Sequence, residues 1–282
     1  MELLPECSIN TCRKLRERGV NPSITVMKTH TAPSTPPIAV ALAVVAALLL
    51  AGCSAPAAER SPGRRVILFI DQSASIDRDQ RRQWRNDANG LVGGIRDGWS
   101  VSIFGIHDHT LESAPLFEVD IPMFVSDGTS KTAAARNAAI QTARQAALAA
   151  VEKALDTSGA ARTDIFSALD RVHPDPRSRP TVIVFFSDML NSTSELNMER
   201  TGSVTLQNIG ALIPSLARRH LWRKDSLAGS EVYCVLNSIE IGRNAPPVDR
   251  RVQEVFYAGL FGAMSAKLAR YETSLGGAYA PR

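Results

Sequence analysis

The sequence predicts a single α/β domain built on a doubly wound, mostly parallel β-sheet. Short β-branched and aromatic runs alternate with longer amphipathic segments, as in parallel strands joined by crossover helices. Several runs are apolar at nearly every position, which is typical of strands covered by helices on both faces. The 282 residues, 44% hydrophobic and 21% charged, leave room for one such domain after an amino-terminal targeting segment.

The predicted strands form the interior of this domain. The first, third and last of the main runs are almost entirely apolar, and a weaker run is predicted to be an edge strand. In chain order, the predicted strands are Val66–Ile70, Val101–Ile106, Leu116–Ile121, Thr181–Ser187 and Glu231–Asn237.

The segments between the strands have the apolar spacing of helices that pack on a core. The stretch 192–229 is the hardest to interpret, because a helix over Ile209–Leu221 would be broken by Pro214 or would begin near it. The other predicted helices are Asp79–Val92, Lys131–Leu155, Asp164–Arg171 and Asp249–Arg270.

An uncharged apolar run precedes the domain. Ile38–Leu50 has 13 residues, too few for the roughly 20 that cross a bilayer but suitable for the core of a signal peptide. The run ends in Leu50-Ala51-Gly52-Cys53, which resembles the lipobox of bacterial lipoproteins. We therefore predict a lipoprotein signal peptide over residues 27–52, cleavage before Cys53, and a lipid on that thiol. Several acyl chains together anchor a protein stably in a membrane.

The residues around this signal predict its boundaries and destination. Met27-Lys28 provides the short basic start that a signal peptide needs, so residues 1–26 are interpreted as an artefact of start-codon choice. Residues 53–64 are rich in Ala, Pro and Ser and are predicted to be a flexible tether. Ser54, rather than Asp, follows the lipobox. We expect a lipid-anchored envelope protein on the outer membrane, facing the periplasm of a two-membrane bacterium.

Oxygen-bearing side chains follow two of the predicted strands. Asp71, Ser73 and Ser75 come directly after the first strand, and Asp188 follows a later one. Thr163 begins a Thr-Asp-Ile motif that opens a helix between them. Ligands bind at the carboxyl edge of open α/β sheets, so we expect these five side chains to converge there. Carboxylate and hydroxyl oxygens suit a small hard cation such as Mg²⁺, and the sequence predicts a metal site.

These motifs, in this order, resemble the von Willebrand factor type A domain with its metal-ion-dependent adhesion site. The resemblance covers roughly residues 65–270 and depends on an apolar strand with Asp-x-Ser-x-Ser, then Thr-Asp-Ile, then a strand ending in Ser-Asp. It implies a three-layer, Rossmann-like, doubly wound sheet over residues 65–282. It also implies a non-enzymatic protein-binding module.

The same resemblance implies roles for the five residues. Ser73 and Ser75 would ligate Mg²⁺, or Mn²⁺ or Ca²⁺, directly. Thr163 would ligate the ion directly or through water, and Asp71 and Asp188 would act mainly through water and hydrogen bonds. An open position would accept a carboxylate from an acidic residue of an envelope partner protein. The chain departs from the family by having Arg162 and Met189 where Gly is usual.

Three other interpretations of the motif remain open. The residues after the first strand are also good helix caps, and the fold also occurs without a metal, as a scaffold that binds through its loops. A phosphatase of the haloacid dehalogenase type places an Asp after its first strand, but it needs a second carboxylate two residues later. This chain has Ser73 there, and a hydroxyl cannot transfer that proton near neutral pH.

Other features of the sequence predict less specialised roles. His107 and His109 follow the second strand, and we interpret them as part of a solvated turn rather than a second metal site. Cys234 lies in an apolar strand and is predicted to be a free buried thiol. The formal net charge of +4 is spread thinly along the chain, so no nucleic-acid partner is expected.

Overall fold

The structure is a computed structural model, and it describes residues 63–125, 128–157, 159–237 and 248–276. This part of the chain alternates strands with helices along most of its length, as the hydrophobic pattern predicts. In chain order the elements are β1 (Arg65–Asp71), α1 (Arg78–Gly93), β2 (Ser100–Ile106), β3 (Phe117–Asp120), α2 (Ser130–Asp156), α3 (Ile165–Asp170), β4 (Thr181–Phe186), α4 (Ile209–Arg219), β5 (Glu231–Val235), α5 (Arg250–Ala263) and β6 (Lys267–Glu272).

The strands of the described chain form one six-stranded sheet in the order β3-β2-β1-β4-β5-β6. Only the edge strand β3 is antiparallel to its neighbour; all other pairs are parallel. The chain leaves β1 to build one half of the sheet and returns on the other side of β1 to build the second half. The predicted α/β class and the doubly wound, mostly parallel sheet are therefore confirmed.

Helices cover both faces of the sheet, which makes three layers. Along β1, Ile67 and Phe69 point to one face and join the core formed with α3, α4 and α5. Val66, Leu68 and Ile70 point to the other face and pack against α1 and α2. This alternation buries both sides of the central strand, which explains why its sequence is apolar at every position but the ends.

The predicted helix over Asp249–Arg270 is wrong in its last third. Helix α5 ends at Ala263, and the following residues form the edge strand β6. The chain turns at Ser265, whose φ of 60° is left-handed, and the Ala266 N–H bonds the Phe261 carbonyl across the turn. This hydrogen-bond pattern usually has Gly at the left-handed position, so a serine there concealed the end of the helix.

Helix α4 also differs from the prediction, because Pro214 lies inside the helix without ending it. A proline at this position removes the hydrogen bond to the Gly210 carbonyl, four residues earlier. Both Pro214 and Gly210 are exposed, so solvent can satisfy that carbonyl. Leu216 and Ile209 hold the opposite side of the helix on the core.

Other predicted boundaries lie within one or two residues of the observed ones; β5, for example, ends at Val235 instead of Asn237. Cys234 is a free, buried cysteine, as predicted, and burial raises the pKa of its thiol. The predicted signal peptide, Cys53 and most of the tether lie outside the described residues. Within the described ranges, no helix combines the length and apolar character needed to cross a membrane.

Candidate metal centre

The candidate site lies where the two halves of the sheet diverge. Strands β1 and β4 are adjacent and parallel, with Ile70 opposite Phe186, so their carboxyl ends meet at one edge of the sheet. Asp71 is the last residue of β1, and Ser187 and Asp188 follow β4 directly. At such a switch point the connecting loops turn to opposite faces and leave a crevice, which is the usual ligand position in open α/β sheets.

Hydrogen bonds join four of the five predicted residues into one continuous network. Asp71 accepts through Oδ1 from the Ser73 backbone N–H at 2.8 Å and through Oδ2 from the Ser187 hydroxyl at 2.6 Å. The hydroxyl oxygens of Ser73 and Ser75 are 2.9 Å apart. Ser75 in turn donates to Asp188 Oδ2 at 3.2 Å. Two loops that are more than 100 residues apart in sequence therefore meet through their side chains.

Thr163 is attached to this network through the backbone. Its N–H donates to the Ser192 hydroxyl at 2.8 Å, and the Ser192 N–H donates back to the Thr163 carbonyl at 2.9 Å. Three residues earlier, Ala160 exchanges backbone hydrogen bonds with the loop after β1, through Gln72 and Ala74. The Thr163 loop is thus tied to both neighbouring loops. Within the described chain, no hydrogen bond joins its side chain to the other four.

Helix capping does not account for the acid and hydroxyls that follow β1. The cap of α1 is Asp77, which accepts from the Gln80 N–H at 2.8 Å, two residues beyond the end of the motif. In the Thr-Asp-Ile motif, Asp164 caps α3 by accepting from the Ser167 N–H at 2.9 Å. The capping interpretation of the motif is therefore wrong, and Thr163 does not serve as a cap either.

Helix α5 fixes the loop after β4 from below. Gln253 donates to the Asp188 carbonyl at 3.0 Å, and the Tyr257 hydroxyl donates to the Met189 carbonyl at 2.8 Å. The Leu190 N–H donates to Asp188 Oδ1 at 2.9 Å. Met189 has a φ of 59°, which costs a residue with a side chain about 1–2 kcal/mol. The departure from the usual Gly therefore falls on a position whose backbone is left-handed.

The carboxyl groups of Asp71 and Asp188 are buried, which disfavours their charged forms. Asp71 is 1% exposed and Asp188 8% exposed, and neither forms an ion pair within the described residues. Desolvation raises the pKa of Asp71. Desolvation, followed by the charge of Asp71, raises the pKa of Asp188 to about 7. A divalent cation would offset both penalties, so this set of oxygens fits a hard metal ion.

The donor set differs from that of most protein metal centres. Among the described residues, no three or more His, Cys, Asp and Glu side chains gather around one point. The predicted centre therefore depends on hydroxyl oxygens for direct ligands. Ser73 is buried and Ser75 is exposed, so the hydroxyl pair lies at the boundary between the core and the solvent. An ion held there would remain accessible to a second molecule.

The geometry disfavours the phosphatase interpretation. A nucleophilic aspartate needs an oxygen that can reach the phosphorus atom. Both oxygens of Asp71 instead accept hydrogen bonds from the protein, and the residue is almost fully buried. No carboxylate stands at the position of Ser73 to act as acid and base.

The two histidines after β2 lie in a tight turn. His107 Nδ1 accepts from the His109 backbone N–H at 3.0 Å, and the His107 N–H donates to the Thr110 hydroxyl at 2.8 Å. The His109 side chain is 71% exposed. One imidazole nitrogen of His107 is thus used by the turn, as expected for a structural role.

Several supporting residues were missed by the sequence interpretation. The sequence shows Ser187 next to Asp188, but it does not show that the Ser187 hydroxyl donates to Asp71. That hydrogen bond forms because β1 and β4 are adjacent in the sheet. Asn191 accepts from the Ile165 N–H at 2.9 Å and so fixes the start of α3, and no sequence signal marks it. Gln72 lies over Gly105 of β2, where a Cβ atom would come within 2.6 Å of the Gln72 side chain.

No protein-family model matches the chain, and no curated protein sequence does. Similar solved structures include a von Willebrand factor type A protein from Catenulispora acidiphila, as the motif predicted, with 11% identity and a TM-score of 0.42 over 75% of this chain. A pilus adhesin from Lactobacillus rhamnosus has 12% identity and a TM-score of 0.40 over 77% of this chain.

An aerotolerance-related membrane protein from Bacteroides fragilis has 14% identity and a TM-score of 0.33, with 74% of this chain and 92% of that protein covered. The chain spans only 39% of the Catenulispora protein and 29% of the pilus adhesin. At these identities and TM-scores, the comparisons assign no activity or residue role to this chain.

The raised pKa of Asp188 predicts how the metal-free protein responds to pH. The folded chain holds a proton on Asp188 up to about pH 7, whereas an unfolded aspartate loses it near 3.8. The folded state therefore binds more protons between these values, and the free energy of unfolding should fall as pH rises through them. Thermal denaturation in EDTA across this range measures the effect.

Asp188→Asn should flatten this pH dependence, because the amide keeps an oxygen acceptor but cannot ionise. Asp225→Asn is the matched control, since Asp225 is exposed and lies outside the site. Parallel curves for the wild type and Asp188→Asn would contradict the assigned pKa.

Proposed function

We propose that this protein is a non-enzymatic binding module of the bacterial cell envelope that holds a divalent cation and captures a partner protein through a carboxylate. The observation that carries this proposal is the hydrogen-bonded network of Asp71, Ser73, Ser75 and Asp188 at the switch point of the sheet. It combines two buried acids with a hydroxyl pair that reaches solvent. That arrangement suits holding a charge better than transforming a substrate.

The residues of the site would divide the work of holding the ion. Ser73 and Ser75 would be direct ligands. Asp71 and Asp188 would supply the compensating charge without touching the ion, through water and hydrogen bonds. Asp71 is suited to this indirect role because its oxygens already accept hydrogen bonds from Ser73 and Ser187. Thr163 would complete the set, as a direct or water-mediated ligand. The bound cation, Mg²⁺ with Mn²⁺ or Ca²⁺ as substitutes, would supply an electrophilic position for a carboxylate oxygen.

The exposure of the loop supports access by another protein. Ala74 and Ser75 are exposed, whereas Ser73 and Ile76 on either side of them are buried. A partner side chain can therefore approach from the Ser75 side while the acids stay shielded from water. Shielding strengthens the electrostatic attraction between an ion and an incoming carboxylate.

The competing interpretation is a scaffold that binds through its loops without a metal. Isothermal titration of the full chain with Mg²⁺ or Mn²⁺ separates the two. We expect saturable heat from the wild type, and its loss in Ser75→Ala, because that change removes one direct ligand and the link to Asp188. Absence of heat from the folded wild type would favour the metal-free scaffold.

Ser130→Ala is the matched control for this titration. Ser130 is an exposed serine in the first turn of α2, a helix of 27 residues. The site contacts the loop that follows the opposite end of this helix. At about 1.5 Å per residue the two ends are roughly 40 Å apart. The Ser130→Ala titration should match that of the wild type.

The envelope location is proposed from Cys53, which the sequence places at the end of a lipobox. Cells fed labelled palmitate should incorporate it into the wild type and not into Cys53→Ser, which should also leave the membrane fraction. Cys234→Ala removes the other cysteine downstream of the predicted cleavage site, a free and buried thiol, and should change neither result. Equal labelling of the wild type and Cys53→Ser would contradict lipid anchoring.

A further inference from the structure

An open groove beside the candidate metal centre is lined by arginines. It lies between the start of α1 and the end of α2 and has a volume of about 720 Å³. Positions three, four and seven residues apart share one face of a helix, and the arginines of α1 follow this spacing. The arginines that line the groove are Arg78, Arg81, Arg82 and Arg85.

Two of these arginines are committed to the walls of the groove. Arg85 is neutralised by Glu152, with contacts of 2.7 and 2.8 Å, and it also reaches Asp156 at 3.4 Å. Arg81 donates to backbone carbonyls on both sides, including that of Ser73 at 3.3 Å and that of Leu155. These contacts fix α1 against the end of α2 and keep the groove in shape.

The other two arginines present their charge to solvent. Arg78 is exposed and has no ion pair within the described residues. Arg82 contacts Asp79 at 3.4 Å, but both side chains are more than 70% exposed, so this pair is weak. Of the acids that line the groove, Asp77 is used as the cap of α1 and Asp156 contacts Arg85. The lining has four arginines and two acids, so its formal charge is positive.

The groove is continuous with the loop that would hold the metal. Ala74, which lies between the two serine ligands, forms part of its lining. Ser75 and Arg78 are three positions apart in the chain, so their α-carbons are at most about 11 Å apart. A single extended segment of a few residues can therefore reach both.

We propose that this groove binds an acidic peptide segment of the partner protein. One carboxylate of the segment binds the cation at its open position, and following acidic side chains pair with Arg78 and Arg82. The proposal rests on the proposed function, because the metal position sets the register of the segment. Arginine binds carboxylates in a two-pronged geometry, and a segment that presents one carboxylate to the cation brings its neighbouring acidic side chains close to Arg78 and Arg82.

A fluorescein-labelled oligoglutamate peptide tests the proposal by fluorescence anisotropy with the full chain. We expect binding in Mg²⁺ that Arg78→Gln/Arg82→Gln weakens about tenfold or more, because two charge-assisted contacts to the peptide are lost. Heat from Mg²⁺ titration should stay unchanged in this variant. The matched control is Arg218→Gln/Arg219→Gln, two exposed arginines of α4, which removes the same charge.

Several outcomes would overturn the proposal. Equal peptide affinity of the two double variants, with Mg²⁺ heat retained, would show that the groove is not the peptide site, and it would leave the proposed metal site unaffected. Failure of the peptide to bind the Mg²⁺-loaded wild type would have the same meaning. A labelled single-stranded oligonucleotide is the third probe. If it binds more tightly than oligoglutamate and its binding depends on Arg78 and Arg82, the ligand of the groove is a nucleic acid and the peptide proposal is wrong. Absence of Mg²⁺ binding heat in the wild type would instead contradict the proposed function.

Discussion

The structure around the site depends on one constraint: two buried carboxylates stand at the carboxyl ends of adjacent parallel strands. Asp71 ends β1, and Asp188 follows β4. Their burial raises the pKa of both, and the charge of Asp71 adds to the effect at Asp188. The backbone N–H groups of Ser73 and Leu190 and the hydroxyls of Ser75 and Ser187 donate to these oxygens. The site is thus organised around two buried carboxyl groups.

Maintaining this arrangement imposes costs that other parts of the fold offset. Met189 adopts a left-handed backbone conformation, and α5 holds that turn through Gln253 and Tyr257. Arg81 fixes the loop after β1 from the opposite side by donating to main-chain carbonyls. Residues held in uncommon conformations persist where the surroundings over-determine them, and they cluster at functional sites. The two loops are therefore supported from both faces of the sheet.

The sequence predicts the fold class and most elements because the spacing and type of the apolar residues match the positions that the fold buries. Strands covered on both faces are apolar along their buried length, as β1 and β4 are apart from their end residues. Strand β6 was missed because the turn before it uses Ser265, where a glycine would have signalled the end of the helix. The motif residues were found because each follows a strand or opens a helix. Ser192 and Asn191, which position Thr163 and α3, belong to a segment without regular periodicity.

The most direct test of the account is a crystal structure of the chain grown with Mn²⁺, examined by anomalous diffraction at the manganese edge. The account predicts one anomalous peak between the loops after β1 and β4, within about 2.2 Å of the Ser73 and Ser75 hydroxyl oxygens, close to the distances at which such hard cations are bound. A map with no peak at this edge of the sheet, or a peak elsewhere on a folded chain, would contradict it.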